Sequence, residues 1–258
     1  MKTYPDTELI DTKSLLMEFF QVPWDTEIFG FSVAQISRIE LREPGACGDF
    51  ADFEQRREAI GARLVSCRLP HSQLTESMFL EDRGFRFVEM AYSPELDNLK
   101  QIDWSDEPLE IARADPADLL EIEKIAGQAF QNERFHVDPR LNAGLGNKRY
   151  QVWVKNAASH ATQRLYRISD GGELVAFFVT EHLPDGTCYW HLNAVAPTHQ
   201  SRGYGIRAWR AMILHAQEQG AERVRTTIVA RNYRVLNLYA RLGFRFPAPM
   251  MTFHWVAS

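Results

Sequence analysis

The chain has 258 residues, of which 45% are hydrophobic and 24% charged, a composition that suits one large or two small domains with sizeable cores. Its formal net charge of −5 gives no support to nucleic-acid binding, since the arginines are scattered rather than gathered in a stripe. No apolar run reaches the roughly 18 residues of a membrane helix, and residues 1–8 show no signal-peptide pattern. We therefore expect a cytoplasmic protein with no nucleic-acid or membrane partner.

The cysteines and histidines give no metal-binding pattern. Cys47, Cys67 and Cys188 are odd in number and widely separated, so they predict neither a disulfide framework nor a metal-ligand spacing. The histidines form no His-x-x-x-His group. We expect reduced thiols and no bound metal.

The first structural pattern in chain order is a strand at residues 63–69, followed by a helix at residues 73–82. The segment 83–87, Arg-Gly-Phe-Arg-Phe, then nearly repeats segment 242–246, Leu-Gly-Phe-Arg-Phe. In both copies the glycine is expected to end a helix and the aromatic residues to begin a strand. This predicts an internal half-repeat, with coincidence as the alternative, because strand–helix–glycine–strand units are common.

Residues 97–108 form a polar segment with acidic clusters beside prolines and little periodicity, which is typical of a boundary. We place the boundary between residues 105 and 106. The predicted domains are therefore residues 1–105 and residues 106–258.

The second predicted domain begins with a short strand at residues 109–113. Asp115 or Asp118 is expected to cap the amphipathic helix that follows, in which Ile122, Ile125 and Phe130 recur at helical spacing. Turn residues then separate the remaining predicted elements. These are a helix at 147–157, strands at 164–168, 174–181 and 187–195, a helix at 206–219, and a strand at 223–229.

The segment 200–205, Gln-Ser-Arg-Gly-Tyr-Gly, lies between a predicted strand and a predicted helix. Gly203 and Gly205 permit positive φ and close backbone approach, and the free N–H groups of a helix start favour an anion. The segment lacks the Lys-Ser/Thr ending of a P-loop and has one glycine fewer than the dinucleotide fingerprint. Taken alone, the segment is better interpreted as an ordinary tight turn.

With its flanking residues this loop resembles the GNAT acyl-coenzyme A transferase superfamily. The flanking motifs are Asn193-Ala-Val-Ala-Pro before the loop and Asn237-Leu-Tyr239-Ala-Arg-Leu-Gly-Phe after it. The resemblance is tight over roughly the last sixty residues and extends in outline from about Leu109. It implies an α/β (α+β) GNAT fold, with a mixed, mostly antiparallel twisted sheet flanked by helices. The first domain would then be a degenerate half-GNAT unit, with Leu80 in place of Tyr239.

The resemblance also implies the donor and its site. In that family the glycine loop holds the pyrophosphate of acetyl-coenzyme A, the acyl-donor substrate, and the preceding strand pairs with the pantetheine arm. A tyrosine before Leu-Gly-Phe protonates the departing thiolate. The coenzyme-binding residues carried over by position are Val195, Gln200, Ser201, Arg202, Gly203, Tyr204, Gly205 and Asn232.

The reaction then needs a proton donor and a proton acceptor. Tyr239 is the candidate general acid, because a phenol with a pKa of about 10 is protonated at neutral pH. Strand alternation places His191, Asn193 and Val195 on one face, so His191 is the candidate base for the amine proton. A histidine bonded within the sheet is the equal alternative. Glu181 is the second candidate base, although a charged residue at a strand end is more often simply solvated.

A looser resemblance over most of the chain concerns the acceptor. Aromatic-rich segments are similar to the dTDP-fucosamine acetyltransferase group, whose members acetylate the amine of a nucleotide-linked amino sugar. The fuller glycine loop and longer N-terminus leave the acceptor open, and core packing is the alternative for the aromatic rings. Arg134, His136 and Asn193 are the candidate acceptor-binding residues. The similar segments are residues 23–31, 84–96, 129–136 and 150–156.

The expected function is therefore N-acetylation of a small primary amine, preferably on a nucleotide-linked amino sugar. Three alternatives stay open: acetylation of a protein or peptide amine, acetylation of a free small amine or an antibiotic, and a non-catalytic module that binds coenzyme A. The oligomeric state also stays open, with a homodimer as one option.

Overall fold

The computed structural model describes residues 6–104 and 109–257. The chain forms two compact units. The first extends to Ala91 and also contains Val137–Leu141 and the residues from Ala248 onward, whereas the second comprises Tyr92–His136 and Asn142–Pro247. The predicted boundary between residues 105 and 106 lies outside the described residues. The structure differs from the expected division in giving two later segments to the first unit.

The strands and helices are named here in chain order. The strands are β1 (Glu8–Asp11), β2 (Leu15–Gln21), β3 (Ser32–Leu41), β4 (Ala62–Pro70), β5 (Arg86–Tyr92), β6 (Glu95–Leu96), β7 (Glu110–Arg113), β8 (Gln163–Asp170), β9 (Glu173–His182), β10 (Thr187–Val195), β11 (Arg223–Thr226), β12 (Ile228–Val229) and β13 (Met250–Val256). The helices are α1 (Pro23–Phe29), α2 (Ala46–Ala59), α3 (Leu74–Asp82), α4 (Pro116–Ala129), α5 (Arg134–Val137), α6 (Ala143–Ala158), α7 (Tyr204–Glu218) and α8 (Tyr233–Arg241).

The first unit is built on a sheet in which β1, β2, β3, β4, β13 and β5 follow one another. Strands β3 and β4 are parallel and α2 connects them, while β13 pairs antiparallel with both β4 and β5. The core of this unit is rich in phenylalanine, with Phe19, Phe50, Phe53 and Phe253 buried together. The predicted strand, helix and glycine of residues 63–87 are confirmed as β4, α3 and Gly84, whose φ is +82°.

The two copies of the predicted half-repeat differ after the glycine. In the first copy β5 begins at Arg86, as expected. In the second copy Gly243 ends α8 with a φ of +84°, but Arg245 only bridges Glu95 and the strand begins at Met250. The prolines at 247 and 249 explain the delay, since proline has no N–H to give to a ladder. The expectation of a strand directly after Gly243 was therefore wrong.

The second unit contains the sheet order β6-β11-β10-β9-β8-β7. Its pairs are antiparallel except for β10 and β11, which are parallel. Helix α7 packs on one face through Trp209 and Met212, beside Phe178. Helices α4 and α6 pack with Phe177, which points to the other face because side chains alternate along β9. The expected mixed, mostly antiparallel sheet flanked by helices is confirmed.

Helix α4 shows how a short motif fixes one of these boundaries. The Asp115 carboxylate accepts hydrogen bonds from the backbone N–H groups of Ala117 and Asp118, at 2.7 and 3.0 Å. The Asp118 carboxylate accepts one from the Asp115 N–H at 2.9 Å. Both predicted caps therefore act together, as the two halves of a capping box.

Across residues 6–104 and 109–257, none of the helices combines the length and the apolar character that a membrane span requires.

Candidate functional site

A cleft of about 1010 Å³ lies in the second unit, where β10 and β11 separate. Their parallel pairing runs from Thr187–Arg223 to Trp190–Thr226. There the Thr226 hydroxyl donates a 2.8 Å hydrogen bond to the Trp190 carbonyl. Beyond that bond, residues 193–195 of β10 line the cleft, as do the residues that follow β11. The cleft therefore begins where β11 no longer pairs with β10.

The glycine loop borders this cleft and leads into α7. Gly203 is the N-cap residue of α7 with a φ of +85°, and Ser201 has a φ of +64°. A Cβ atom at Gly203 would meet nothing within 4 Å, and one at Gly205 would only touch Leu238 at 3.5 Å. Gln200, Ser201, Gly203 and Gly205 all line the cleft. The loop therefore offers backbone N–H groups and open space to a ligand.

Arginines on two helices and a turn also line the cleft: Arg210 on α7, Arg231 before α8, and Arg234 and Arg241 on α8. Together with the positive end of α7 they make a favourable setting for a ligand with several phosphates. Sequence analysis did not identify these arginines. The run Arg231-Asn-Tyr-Arg234, shortly after the last predicted strand, is the sequence signal that could have identified two of them.

Asn232 holds the start of α8 beside these arginines. Its side-chain oxygen accepts a 3.4 Å hydrogen bond from the Val235 N–H, so Asn232 acts as the N-cap of the helix. It also lines the cleft, as does its predicted partner in coenzyme binding, Val195.

Tyr239 lies on α8 with its side chain turned into the protein. The residue is 1% exposed, yet it is among those that line the cleft. Its hydroxyl donates to the Asn193 side-chain oxygen at 3.5 Å, a long contact. Burial raises the pKa of Tyr239 to about 12, against smaller lowering effects of Trp209, Thr226 and Asn193. The hydroxyl therefore holds its proton at neutral pH.

His191 and Glu181, the two candidate bases, form one pair. His191 Nε2 lies 2.7 Å from Glu181 Oε2, and the Thr162 hydroxyl donates to Glu181 Oε1 at 2.6 Å. Partial burial alone would raise the pKa of Glu181, but the hydrogen bonds from Thr162 and His191 outweigh it and lower the pKa. Sequence analysis treated the two residues as separate candidates.

A β-bulge at His191 sets the direction of this part of β10. Trp190 faces Thr180 on β9, and Leu192 faces Val179, so His191 is an extra residue in the ladder. Its side chain is 7% exposed and is not among those lining the cleft.

Four residues that were predicted to contact a ligand have side chains that lie outside the cleft. Arg202 is exposed, and the Tyr204 hydroxyl donates to Asp170 at 3.0 Å. The Arg134 guanidinium lies 4.6 Å from the centre of the Phe135 ring. His136 lies on α5, and its Nε2 is 2.9 Å from the side-chain oxygen of Asn147 on α6. None of these four residues is among those that line the cleft.

The neighbours of Arg134 do line it. Phe130, Asn132 and Glu133 form part of the cleft wall. Sequence analysis had singled out the segment 129–136 but had assigned the contact to its charged end. Phe130 stacks on Tyr150 at 4.4 Å, which fixes this wall to α6.

Among the residues that the structure describes, no three His, Cys, Asp or Glu side chains gather in a way that could hold a metal ion.

Comparison with known families gives a match to the acetyltransferase (GNAT) family over residues 119–244, just under half of the chain. A curated relative is the spore coat polysaccharide biosynthesis protein SpsD of Bacillus subtilis (strain 168), which is 23% identical over 196 residues. The aligned part is 76% of this chain, and the chain spans 63% of the length of that relative.

Solved structures share the fold at low sequence identity. A functionally unknown conserved protein from Staphylococcus epidermidis has a TM-score of 0.68 and 8% identity, with 99% of this chain and 96% of that chain covered. A GCN5-related N-acetyltransferase from Kribbella flavida has a TM-score of 0.61 and 15% identity, with coverage of 98% and 90%. At these sequence identities the structural likenesses show a shared fold.

Proposed function

Taking residues 119–244 as a region of the GNAT acetyltransferase superfamily, we propose that this protein acetylates a small primary amine, preferably on a nucleotide-linked amino sugar. One observation carries the proposal. The buried hydroxyl-bearing side chain of Tyr239 borders the same cleft as the glycine loop and the arginines. A proton donor and an anion-binding surface therefore serve one ligand.

The cleft suits acetyl-coenzyme A as the donor. The backbone N–H groups around Gly203 and the start of α7 would hold the pyrophosphate, since no side chain fills the space above Gly203. Arg210, Arg231 and Arg234 would neutralise the remaining phosphate charge. Acetyl-coenzyme A supplies an acetyl group activated as a thioester.

Tyr239 is the proposed general acid for the departing sulfur. Its pKa of about 12 lies above the value of about 8.5 for a simple thiol. Tyr239 therefore acts mainly by donating a hydrogen bond as negative charge develops on the sulfur. Asn193, which accepts from the Tyr239 hydroxyl, would orient it.

His191 is the proposed base for the amine proton, and it would act through water because its side chain does not line the cleft. The negatively charged Glu181 carboxylate at 2.7 Å would stabilise the protonated ring and fix its orientation. Glu181 is thus a positioning residue in this proposal, because it acts through His191.

The proposed acceptor rests on the cleft wall and on one relative. Phe130 and Asn132 offer an aromatic ring and an amide to a hydroxylated sugar, and Asn193 adds a second amide. SpsD is by name a polysaccharide biosynthesis protein. Arg134 and His136 remain proposed acceptor contacts on account of their place next to this wall.

A panel of amines tests the proposal. The protein is mixed with acetyl-coenzyme A and either nucleotide-linked amino sugars, free amino sugars, small amines or a lysine peptide, and free thiol release is followed over time. We expect the highest kcat/KM with a nucleotide-linked amino sugar and an acetylated product by mass spectrometry. Binding of coenzyme A without turnover of any amine would instead support a non-catalytic module.

A further inference from the structure

We propose that the turn between β8 and β9 positions the coenzyme loop, with Asp170 as its principal contact. The inference rests on the proposed function, because it takes the loop at residues 200–205 to be the coenzyme-binding loop. Asp170 would be a positioning residue, since it acts through side chains of α7.

Asp170 binds the first turn of α7 in two places. Its Oδ2 accepts a hydrogen bond from the Tyr204 hydroxyl at 3.0 Å and another from Arg207 Nη1 at 2.9 Å. The Arg207 guanidinium also lies 5.3 Å from the centre of the Tyr204 ring. Tyr204 and Arg207 are thereby directed to the turn, so the loop is left to meet a ligand with its backbone.

A second carboxylate of the same turn holds the residue before the loop. Glu173 Oε1 lies 3.3 Å from His199 Nε2. The His199 ring is 6% exposed, and its centre packs edge-on against the Tyr204 ring at 5.2 Å. The turn therefore contacts the chain on both sides of residues 200–203.

The tight geometry of the turn brings these carboxylates together. Gly171 and Gly172 have φ values of +57° and +84°, conformations that glycine adopts without steric cost. They let β8 reverse directly into β9, so Asp170 and Glu173 face one another across the turn as the last pair of the ladder.

The shifts in pKa of the two partners agree with the geometry. Hydrogen bonds from Arg207 and then Tyr204 lower the pKa of the Asp170 carboxyl. The hydrogen bond to Asp170 in turn raises the pKa of Tyr204. Both directions favour a charged Asp170 beside a protonated Tyr204 at neutral pH.

The loop has a physical need for such support. Ser201 has a φ of +64°, a conformation that costs a residue with a Cβ atom energy, and Gly203 has a φ of +85°. Residues held in such conformations persist only when their surroundings fix them. A loop that is already ordered loses less entropy on binding. Contacts that hold both ends of the loop would therefore increase its affinity for the coenzyme.

Asp170→Ala is the test. We expect the KM for acetyl-coenzyme A and the Kd for coenzyme A to rise roughly three- to tenfold, the size expected for two partly exposed polar contacts. We expect kcat to stay within about twofold, since the contacts do not reach the reacting atoms. Tyr204→Phe should raise KM by a smaller factor, because Arg207 still reaches Asp170.

Asp185→Ala is the matched control. Asp185 lies in the turn between β9 and β10, where it accepts a 3.1 Å hydrogen bond from the Thr187 N–H. The two turns lie at opposite ends of β9, so this variant should leave both constants unchanged. Should Asp170→Ala fail to fold, Asp170→Asn keeps the shape of the side chain, and we expect a smaller rise in KM from its weaker bond to Arg207.

The outcomes separate the two proposals. If calorimetry detects no binding of coenzyme A to the parent protein, the proposed function is wrong. If the parent binds but both Asp170 variants bind equally well, only the positioning role is overturned. An equal loss in Asp170→Ala and Asp185→Ala would also overturn it, because the effect would then be general to the sheet.

Discussion

The Tyr239 side chain lies among aromatic rings, with Phe244 at 4.7 Å and Trp209 at 6.4 Å between ring centres. These edge-on contacts and near-complete burial make the ring a packing element of the core. The hydroxyl is separate from that ring packing and makes a long hydrogen bond of 3.5 Å to Asn193. Removing only the hydroxyl oxygen of Tyr239 should therefore remove the proposed chemistry while keeping the packing of the ring.

Tyr239→Phe keeps the ring and removes the proton. If Tyr239 is the general acid, kcat should fall by roughly 10²- to 10⁴-fold, while the free energy of unfolding changes by less than about 1 kcal/mol. Steady-state thiol release and denaturant unfolding measure the two quantities. Tyr233→Phe is the control, since Tyr233 lies on the same helix and lines the same cleft but is 71% exposed. If the kcat of Tyr239→Phe lies within a few-fold of the parent value, Tyr239 has only a packing role.

At the scale of an element, the glycine loop and α7 act together. Gly203 begins the helix and Gly220 follows its end, with φ values of +85° and +83°. A Cβ atom at either position would meet nothing within 4 Å. The two glycines therefore have equivalent backbone conformations. They differ because Gly203 lines the cleft and Gly220 does not.

Gly203→Val and Gly220→Val use this equivalence. Each substitution should cost a similar amount of stability, because each forces a branched residue into a positive φ. Only Gly203→Val should abolish binding of coenzyme A, since its side chain would occupy the space above the loop. Calorimetry with coenzyme A and circular dichroism distinguish binding from folding. Equal affinities in the two folded variants would remove the basis for the loop as a binding site.

Local patterns predicted most elements of the second unit. Asp115 marked a helix start, and the glycine loop marked another. The alternation of β10 placed Asn193 and Val195 at the cleft, but the β-bulge sets His191 apart from them. These features depend on near neighbours in the chain. The predicted strand at residues 223–229 instead divides at Thr227, a residue that borders the cleft.

Features that depend on distant residues were not predictable in this way. The position of β13 between β4 and β5 follows from pairing across the sheet, which no local motif records. The arginines of the cleft come from α7, α8 and a turn, so their common direction appears only after folding. Tyr204 was expected at the ligand because of its place in the motif, but Asp170 on a different element binds its hydroxyl.

At the scale of the molecule, a buried ionic cluster joins two distant segments within the first unit. His254 on β13 is fully buried, and its Nδ1 lies 3.0 Å from Asp138 Oδ2. Arg140 donates to the same carboxylate at 2.8 and 2.9 Å and to the His254 carbonyl at 3.2 Å. Asp138 therefore holds the segment Val137–Leu141 to the sheet.

Asp138→Asn should lower the free energy of unfolding by about 3 kcal/mol at pH 7, the cost of breaking a buried ion pair. Asp52→Asn is the control, because Asp52 pairs with Arg56 on the exposed surface of α2 and should cost at most about 1 kcal/mol. Denaturant unfolding of both variants measures the difference. Equal losses of unfolding free energy in the two variants would show that the buried cluster contributes no more to stability than the exposed pair.

The cluster also predicts a dependence on pH. Burial alone would raise the pKa of Asp138, but the hydrogen bonds from His254 and Arg140 outweigh it and hold the pKa far below the ordinary value. The stability that the charged Asp138 contributes is therefore present above a pH of about 4, the ordinary pKa of an aspartate. This stability is lost as the pH falls from there toward the lowered pKa of Asp138 in the folded protein. Between pH 5 and pH 2 the parent should lose more stability than Asp138→Asn.

The central place of β13 has a consequence for how the chain matures on the ribosome. Met250 is synthesised 158 residues after Tyr92, the end of β5, so β4 and β5 wait for their shared neighbour while the intervening chain emerges. Until then two strand edges lack the partner that covers them, and such edges invite association with other nascent chains. Completion of the first sheet is thereby timed by translation of residues that belong to the second unit.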